Sequence, residues 1–247
     1  MGVTIHFKLH LPLSPALTVV EVLDQLHRRA LRYRTGGRVD AVLPVRTDDQ
    51  ALRHGRTLRF YPSPGESRLS GEVELVPRMG FVLPVIVGKD CEPLWLGLAR
   101  YPDGVERDGQ CHLTRLTGLR WEGSCKTQFA SLHGWEHFRR CHLAVLGLLE
   151  AARRLGCRVT VSDEGEYWHG RNEAALRQNV EQMNGAIAAA AGAMKDFDRA
   201  KGAACVQSPI FAHPQFERLE AEGAARGHAT ALRKVLSKSG SFAPPEG

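Results

Sequence analysis

Residues 134–169, GWEHFRRCHLAVLGLLEAARRLGCRVTVSDEGEYWH, decide the fold. Phe138, Cys141, Val145, Leu148, Leu149, Ala152 and Leu155 recur at three- and four-residue intervals. That spacing makes one apolar stripe on a helix over residues 134–155, with Arg139, Arg140, Arg153 and Arg154 off it. Gly156 stands where a left-handed residue ends a helix at no steric cost. Arg158-Val159-Thr160-Val161 then reads as a β-strand, and residues 119–129 before the helix read as another. So compact a strand–helix–strand run is expected to be a parallel pair with a right-handed crossover.

Working toward the N-terminus, Ile5, Phe7 and Leu9 alternate with His6, Lys8 and His10 over residues 4–10, the period of a half-buried strand. Ser14-Pro15 breaks it. Thr18 and Glu21 then have capping-box spacing, and Val19, Val22, Leu23, Leu26, Ala30 and Leu31 continue as a helix over residues 18–34, closed by Gly36-Gly37. From residue 39 to 121 short apolar runs at 57–61, 72–76, 81–87 and 94–98 are separated by Pro62-Ser63-Pro64-Gly65 and Pro102-Asp103-Gly104. These predict short, mainly antiparallel strands.

Toward the C-terminus, Asn172 caps a helix running to about residue 200, with Leu176, Val180, Met183, Ile187, Ala190, Met194 and Phe197 on its core side. Between Gly185 and Ala193 nearly every residue is small, so another element is expected to approach closely. Short helices are expected at 215–225 and 228–237, and disorder at 239–247. The expected fold is α+β: a mixed, largely antiparallel sheet with helices 18–34 and 134–155 packed on one face, and a helical C-terminal part. The expected domains are a sheet domain over 1–170, a helical extension over 171–238 and a tail over 239–247.

Composition bounds the function without naming it. With 247 residues and 43% hydrophobic content the chain can bury a core without staples. No stretch reaches the ~20 apolar residues of a membrane span, so no membrane partner is expected. No charged n-region precedes an apolar h-region, which reads as a cytoplasmic location. Six cysteines, Cys91, Cys111, Cys125, Cys141, Cys157 and Cys205, lie far apart with no C-x-x-C pair, and read as reduced thiols in small buried sites. Net charge is +6, and the 33 basic residues divide into 26 arginines and 7 lysines. Basic and acidic residues alternate, so nucleic-acid binding is permitted but not indicated.

Two polar runs concentrate the chemistry. In Ser124-Cys125-Lys126-Thr127-Gln128-Phe129, a strand would turn Lys126 and Gln128 to the same side. An ammonium beside an amide suits a carboxylate or phosphate. In Ser162-Asp163-Glu164-Gly165-Glu166-Tyr167-Trp168-His169, at the carboxyl end of the next strand, Glu164 offers an acid–base group and Tyr167 and Trp168 offer stacking rings. The bland alternatives are a solvated strand face and a loop whose aromatics plug the sheet end.

Other patterns carry less. His133-Gly134-Trp135-Glu136-His137 matches H-x-x-E-H, which one class of zinc peptidases uses from a single helical face, but Gly134 and Trp135 read as a helix start. His142 reads as a half-buried histidine, and His6 and His10 as an exposed strand face. There is no G-x-S-x-G, G-x-G-x-x-G or G-K-[ST], which argues against serine-hydrolase, dinucleotide and P-loop chemistry.

The opening Val3-Thr4-Ile5-His6-Phe7, the Lys126-Thr127-Gln128-Phe129 run and Asp163-Glu164-Gly165-Glu166-Tyr167-Trp168 resemble segments of a bacterial family of uncharacterised proteins. Its members open with a T-I-H-Y-like strand and carry K-T-Q and D-E-G-x-Y-W segments in this order. Here Phe7 replaces the tyrosine. The family has no established activity, so the resemblance implies only that Lys126, Gln128, Glu164, Tyr167 and Trp168 outrank the histidine pattern.

The sequence therefore predicts a pocket for a small anionic or nucleotide-like ligand. Lys126 and Gln128 would hold the anion, Tyr167 and Trp168 would stack, and Glu164 would be the acid–base group. The alternatives are a non-catalytic protein- or nucleic-acid-interaction module and, third, a zinc-dependent hydrolase. No metal ligand set, cofactor or oligomeric state is specified.

Overall fold

The computed structural model describes residues 3–12, 18–55, 58–60, 73–107, 109–201 and 206–230. The expected breaks at Ser14-Pro15 and Pro62-Ser63-Pro64-Gly65, Cys205, most of the expected helix 228–237 and the tail 239–247 lie outside the described residues.

In chain order the elements are β1 (Thr4–Leu11), α1 (Val19–Thr35), β2 (Ala41–Val42), α2 (Asp49–Leu52), β3 (Leu58–Phe60), β4 (Val73–Leu75), β5 (Met79–Ile86) and β6 (Leu94–Arg100). Then follow β7 (Gly104–Arg107), β8 (Gln110–Leu113), β9 (Leu119–Lys126), a 3-10 helix (Gln128–His133), α3 (Trp135–Arg154) and β10 (Arg158–Asp163). The chain continues through α4 (Tyr167–Gly170), α5 (Glu173–Lys201), a second 3-10 helix (Pro209–Ala212) and α6 (Phe216–Ala225). The fold is α+β, with a mostly antiparallel six-stranded sheet in the order β10-β1-β9-β6-β5-β2 and two separate hairpins, β3–β4 and β7–β8.

Contacts group the residues into two units. A sheet unit comprises Ile5–Cys125 and Arg139–Ser162, and a helical unit comprises Met1–Thr4, Lys126–Phe138 and Asp163–Gly247.

In the sheet unit, alternation along β1 buries Ile5, Phe7 and Leu9 and leaves His6 and Lys8 exposed. The α1 start is a complete capping box. The Thr18 amide donates to Glu21 Oε2 at 2.8 Å and the Glu21 amide donates to Thr18 Oγ1 at 3.3 Å. β9 carries the largest buried side chain, Trp121, whose Nε1 donates to the Trp95 carbonyl at 2.8 Å. A Cβ on Gly97 would overlap the Trp121 indole, so the strand beside it must be glycine there.

The expected strand–helix–strand run is present, with one difference. Val3 meets Thr127, Lys8 meets Glu122 and His10 meets Thr117, so β1 and β9 are antiparallel. Thr4 bonds Glu164, while Arg158 lies close enough to His10 to lower its pKa after burial and Arg120. β10 therefore also runs against β1. β9 and β10 point the same way but are not neighbours, because β1 lies between them. β9 and β10 are thus parallel to each other, as expected, but each is paired with β1, against which both run antiparallel. The physical reason is that β1, an apolar–polar alternating strand from far away in sequence, supplies partners for both edges.

In the helical unit, the small-residue stretch of α5 is explained by α6. A Cβ on Gly223 would collide with the Gly185 carbonyl and lie 2.9 Å from Ala189 Cβ, so the two backbones touch. Among the described residues no helix is long and apolar enough to cross a membrane.

Candidate functional site

The two polar runs meet at Val3-Thr4 in the helical unit. The Val3 amide donates to Gln128 Oε1 at 3.2 Å, and the Val3 carbonyl accepts from the Thr127 amide at 3.1 Å. One residue on, the Thr4 amide donates to Glu164 Oε2 at 2.8 Å and the Thr4 carbonyl accepts from the Glu164 amide at 3.2 Å. Consecutive backbone groups at the start of β1 thus tie both runs together.

That convergence gives the side chains different tasks from those expected. β9 stops at Lys126, so Gln128 does not share a strand face with it but opens the 3-10 helix. Gln128 is 0% exposed, and its Nε2 donates to Asn184 Oδ1 at 3.0 Å. Asn184 Nδ2 in turn donates to Ser131 Oγ at 2.9 Å. Gln128 therefore spends both ends of its amide inside the protein. Lys126 holds its ammonium 4.7 Å above the Phe129 ring.

Asp163, which the sequence reading passed over, organises the acidic aromatic turn. Its carboxylate accepts from the amides of Gly165 at 2.8 Å and of Tyr167 and Trp168 at 2.9 Å each. This lets the chain reverse with Glu166 in the left-handed region at φ 60°. Trp168 is buried, and Arg171 lies 4.8 Å from its ring and 5.7 Å from that of Tyr167. The signal was an aspartate ending a strand before a glycine, where side-chain oxygens commonly take up free amides.

A cavity of about 330 Å³ in the same unit gathers groups the sequence reading had not combined. Trp135 and Ser131 line it together with Arg177 and Asn184 of α5 and His213 and Arg218 near α6. The Arg177 guanidinium lies 5.6 Å from the Trp135 ring centroid and pairs with Glu181 at 3.1 Å. Arg218 pairs with Glu222 and with Gln215 Oε1 at 2.6 Å each. Both carboxylate pairs are well exposed and one helical turn apart, so each is worth roughly 0.3–0.5 kcal/mol and yields readily to a stronger anion. Burial, then the charge of Arg218, lowers the His213 pKa. Its Nδ1 accepts from the Gln215 amide at 3.1 Å, which fixes the neutral tautomer with the proton on Nε2.

Asn184 joins the two descriptions: it is the cavity-wall residue that Gln128 holds. Its signal in the sequence was weak, because Asn184 follows three other amides, Gln178, Asn179 and Gln182, and only burial, which requires an amide to find partners, sets it apart. Arg177, His213 and Arg218 left no comparable signal, because solvated helix faces carry such residues routinely.

The H-x-x-E-H pattern does not form a helical face. His133 ends the 3-10 helix, Gly134 breaks the chain at φ 90°, and α3 begins only at Trp135. The two imidazoles meet edge to face with centroids 5.1 Å apart. Among the described residues no group of three or more His, Cys, Asp or Glu is arranged to hold a metal ion. No family model, curated protein or solved structure matches this chain. Function therefore has to be argued from these side chains alone.

Proposed function

We propose that the helical unit binds a small anion bearing an apolar or aromatic body, in the cavity between Trp135, Arg177 and Arg218. The observation that carries this reading is the meeting of two guanidinia, from α5 and from the start of α6, with one indole in a 330 Å³ cavity. That volume lies at the lower end of small-molecule sites. A carboxylate or phosphate accepts forked bonds from Arg177 and Arg218, while the body of the ligand packs on Trp135. Ser131 and Asn184 add polar contacts, and Gln128 positions Asn184 from behind. Glu164, Tyr167 and Trp168 belong to the turn after β10, and Lys126 ends β9 with its ammonium over Phe129, so the reading assigns them no chemical step.

The reading keeps the cytoplasm as its setting. Among the described residues Cys91, Cys111, Cys125, Cys141 and Cys157 form no disulfide, which fits a reducing compartment. The alternative of a nucleic-acid interaction module draws little from α3. Arg140 is paired with Asp40 at 3.2 Å, and Arg153 and Arg154 share Glu150 at 2.8 and 3.4 Å.

The test is calorimetric titration with nucleoside monophosphates, aromatic carboxylates and inorganic phosphate. At least one ring-bearing anion should bind, and Arg177→Ala and Arg218→Ala should each weaken it about tenfold or more, the worth of a charge-assisted bond. If the wild type ignores every compound, or both variants bind as the wild type does, the reading is wrong.

A further inference from the structure

The sheet unit holds a second cavity, also about 330 Å³, between α1 and α3, with a composition the proposed function does not use. Arg28, Arg29, Arg32 and Tyr33 of α1 line it with Glu150 and Arg154 of α3. We infer that this groove binds a compact multivalent phosphate, a diphosphate group in chemical class.

The groove carries a surplus of positive charge. Four guanidinia face one carboxylate, and Glu150 already serves Arg153 and Arg154. Arg28 is neutralised by Asp24 at 2.9 Å. Among the described residues Arg29 and Arg32 have no carboxylate partner. Arg28 and Arg32 are four residues apart and Arg29 and Arg32 three, so their charges repel one another on one helical face. Favourable interaction with a helix C-terminus accounts for Arg32, which lies in the last turn of α1. It does not reach Arg28 and Arg29, because the effect fades beyond that turn.

One hydrogen bond in the groove is also unmet. Among the described residues Arg29 Nε is buried and has no acceptor. Its guanidinium lies 5.0 Å from the Tyr33 ring centroid, within cation–π range. Tyr33 is itself held where its hydroxyl lies against Gly147, at a spot with no room for a Cβ. A cation with a desolvated, unmet N–H is suited to an oxyanion. Guanidinium forks match the spread oxygens of a phosphate better than a single carboxylate does, and the surplus of positive charge calls for more than one negative charge. A groove of about 330 Å³ between two helices suits a small ligand rather than the side of a nucleic-acid duplex.

The test is calorimetric titration of the full chain with inorganic pyrophosphate, inorganic phosphate and a short single-stranded oligonucleotide at low and physiological ionic strength. Pyrophosphate should bind the wild type, and more tightly than phosphate. Arg29→Gln and Arg32→Gln should each weaken it about tenfold or more. The melting temperature of each variant without ligand should stay level or rise, since repulsion is relieved. Arg46→Gln, which lines neither cavity, should leave pyrophosphate affinity unchanged, and a loss of binding in Arg177→Ala alone would point to the other cavity, which keeps this inference separable from the proposed function. The inference is overturned if pyrophosphate does not bind, if both α1 variants bind it like the wild type, or if only Arg177→Ala weakens it. Tighter binding of the oligonucleotide than of pyrophosphate would also overturn it, in favour of a nucleic-acid surface.

Discussion

Gln128 and Asn184 hold each other by a 3.0 Å bond between buried amides, and through Gln128 Oε1 and Asn184 Nδ2 that bond links Val3 at the start of β1 to Ser131 on the cavity wall. A chain of bonds with every member buried or half-buried is strong only while complete. Replacing Gln128 by leucine strands the Val3 amide and the Asn184 carbonyl oxygen together. Each stranded group costs about 1–3 kcal/mol, so Gln128→Leu should lower unfolding free energy by roughly 2–6 kcal/mol, read by urea denaturation. An unchanged midpoint would mean water replaces the amide.

Gly223→Ala sets two effects against each other. Alanine raises helix propensity by about 1 kcal/mol. Against that, the new methyl enters the space of the Gly185 carbonyl and the Ala189 side chain. Overpacking against backbone costs typically 1–3 kcal/mol or more, so the clash wins. The variant should melt lower than the wild type. Ligand affinity in the Trp135 cavity should fall as well, because α6 carries Arg218.

Tyr101 gives an alkaline prediction. Burial first, and the charge of Glu122 second, push its phenol up to about 12. An unfolded tyrosine ionises near 10, so the folded state keeps the proton longer. The stability this group contributes is complete below about pH 10 and is lost as pH rises through about 12. Two pK steps correspond to roughly 2–3 kcal/mol. Denaturant titrations across that window should show a decline that Tyr101→Phe flattens, with tyrosinate absorbance following the same curve.

His213 gives an acid one. Its pKa is lowered from the ordinary 6.5, so the neutral ring is favoured in the fold. The stability it contributes is present above pH 6.5 and is lost as pH falls through its depressed folded value. An anion in the cavity favours the imidazolium and raises that pKa. Titrating the His213 ring by nuclear magnetic resonance should therefore show a higher pKa with ligand than without, and ligand affinity should rise as pH falls toward it. A ligand that leaves the ring's titration unmoved does not lie beside His213.

Local rules were legible because they are local. The capping box of Thr18 and Glu21, the stripe from Phe138 to Leu155 and the alternation of Ile5, Phe7 and Leu9 each follow from spacing alone, and each has its expected element. The small stretch from Gly185 announced a close neighbour, and α6 is that neighbour. The β7–β8 hairpin beyond Pro102 shows in the sequence only as punctuation, since Val105, Cys111 and Leu113 alternate too briefly to stand out. Spacing puts Lys126 and Gln128 on one strand face, because periodicity does not mark where pairing stops. The strand ends when Val3, not a further strand residue, takes the Thr127 amide.

Spacing along the chain determined the helices, most strands and the α+β class, since each depends on neighbours within a few residues. Tertiary structure alone decided that β1 would separate β9 from β10, and that Gln128 would turn inward to Asn184 rather than outward. It also decided that Arg177 and Arg218, 41 positions apart in sequence, would line one cavity with Trp135. Those outcomes rest on hydrogen-bond partners and packed surfaces brought together by the fold, and no pattern along a chain encodes them one residue at a time.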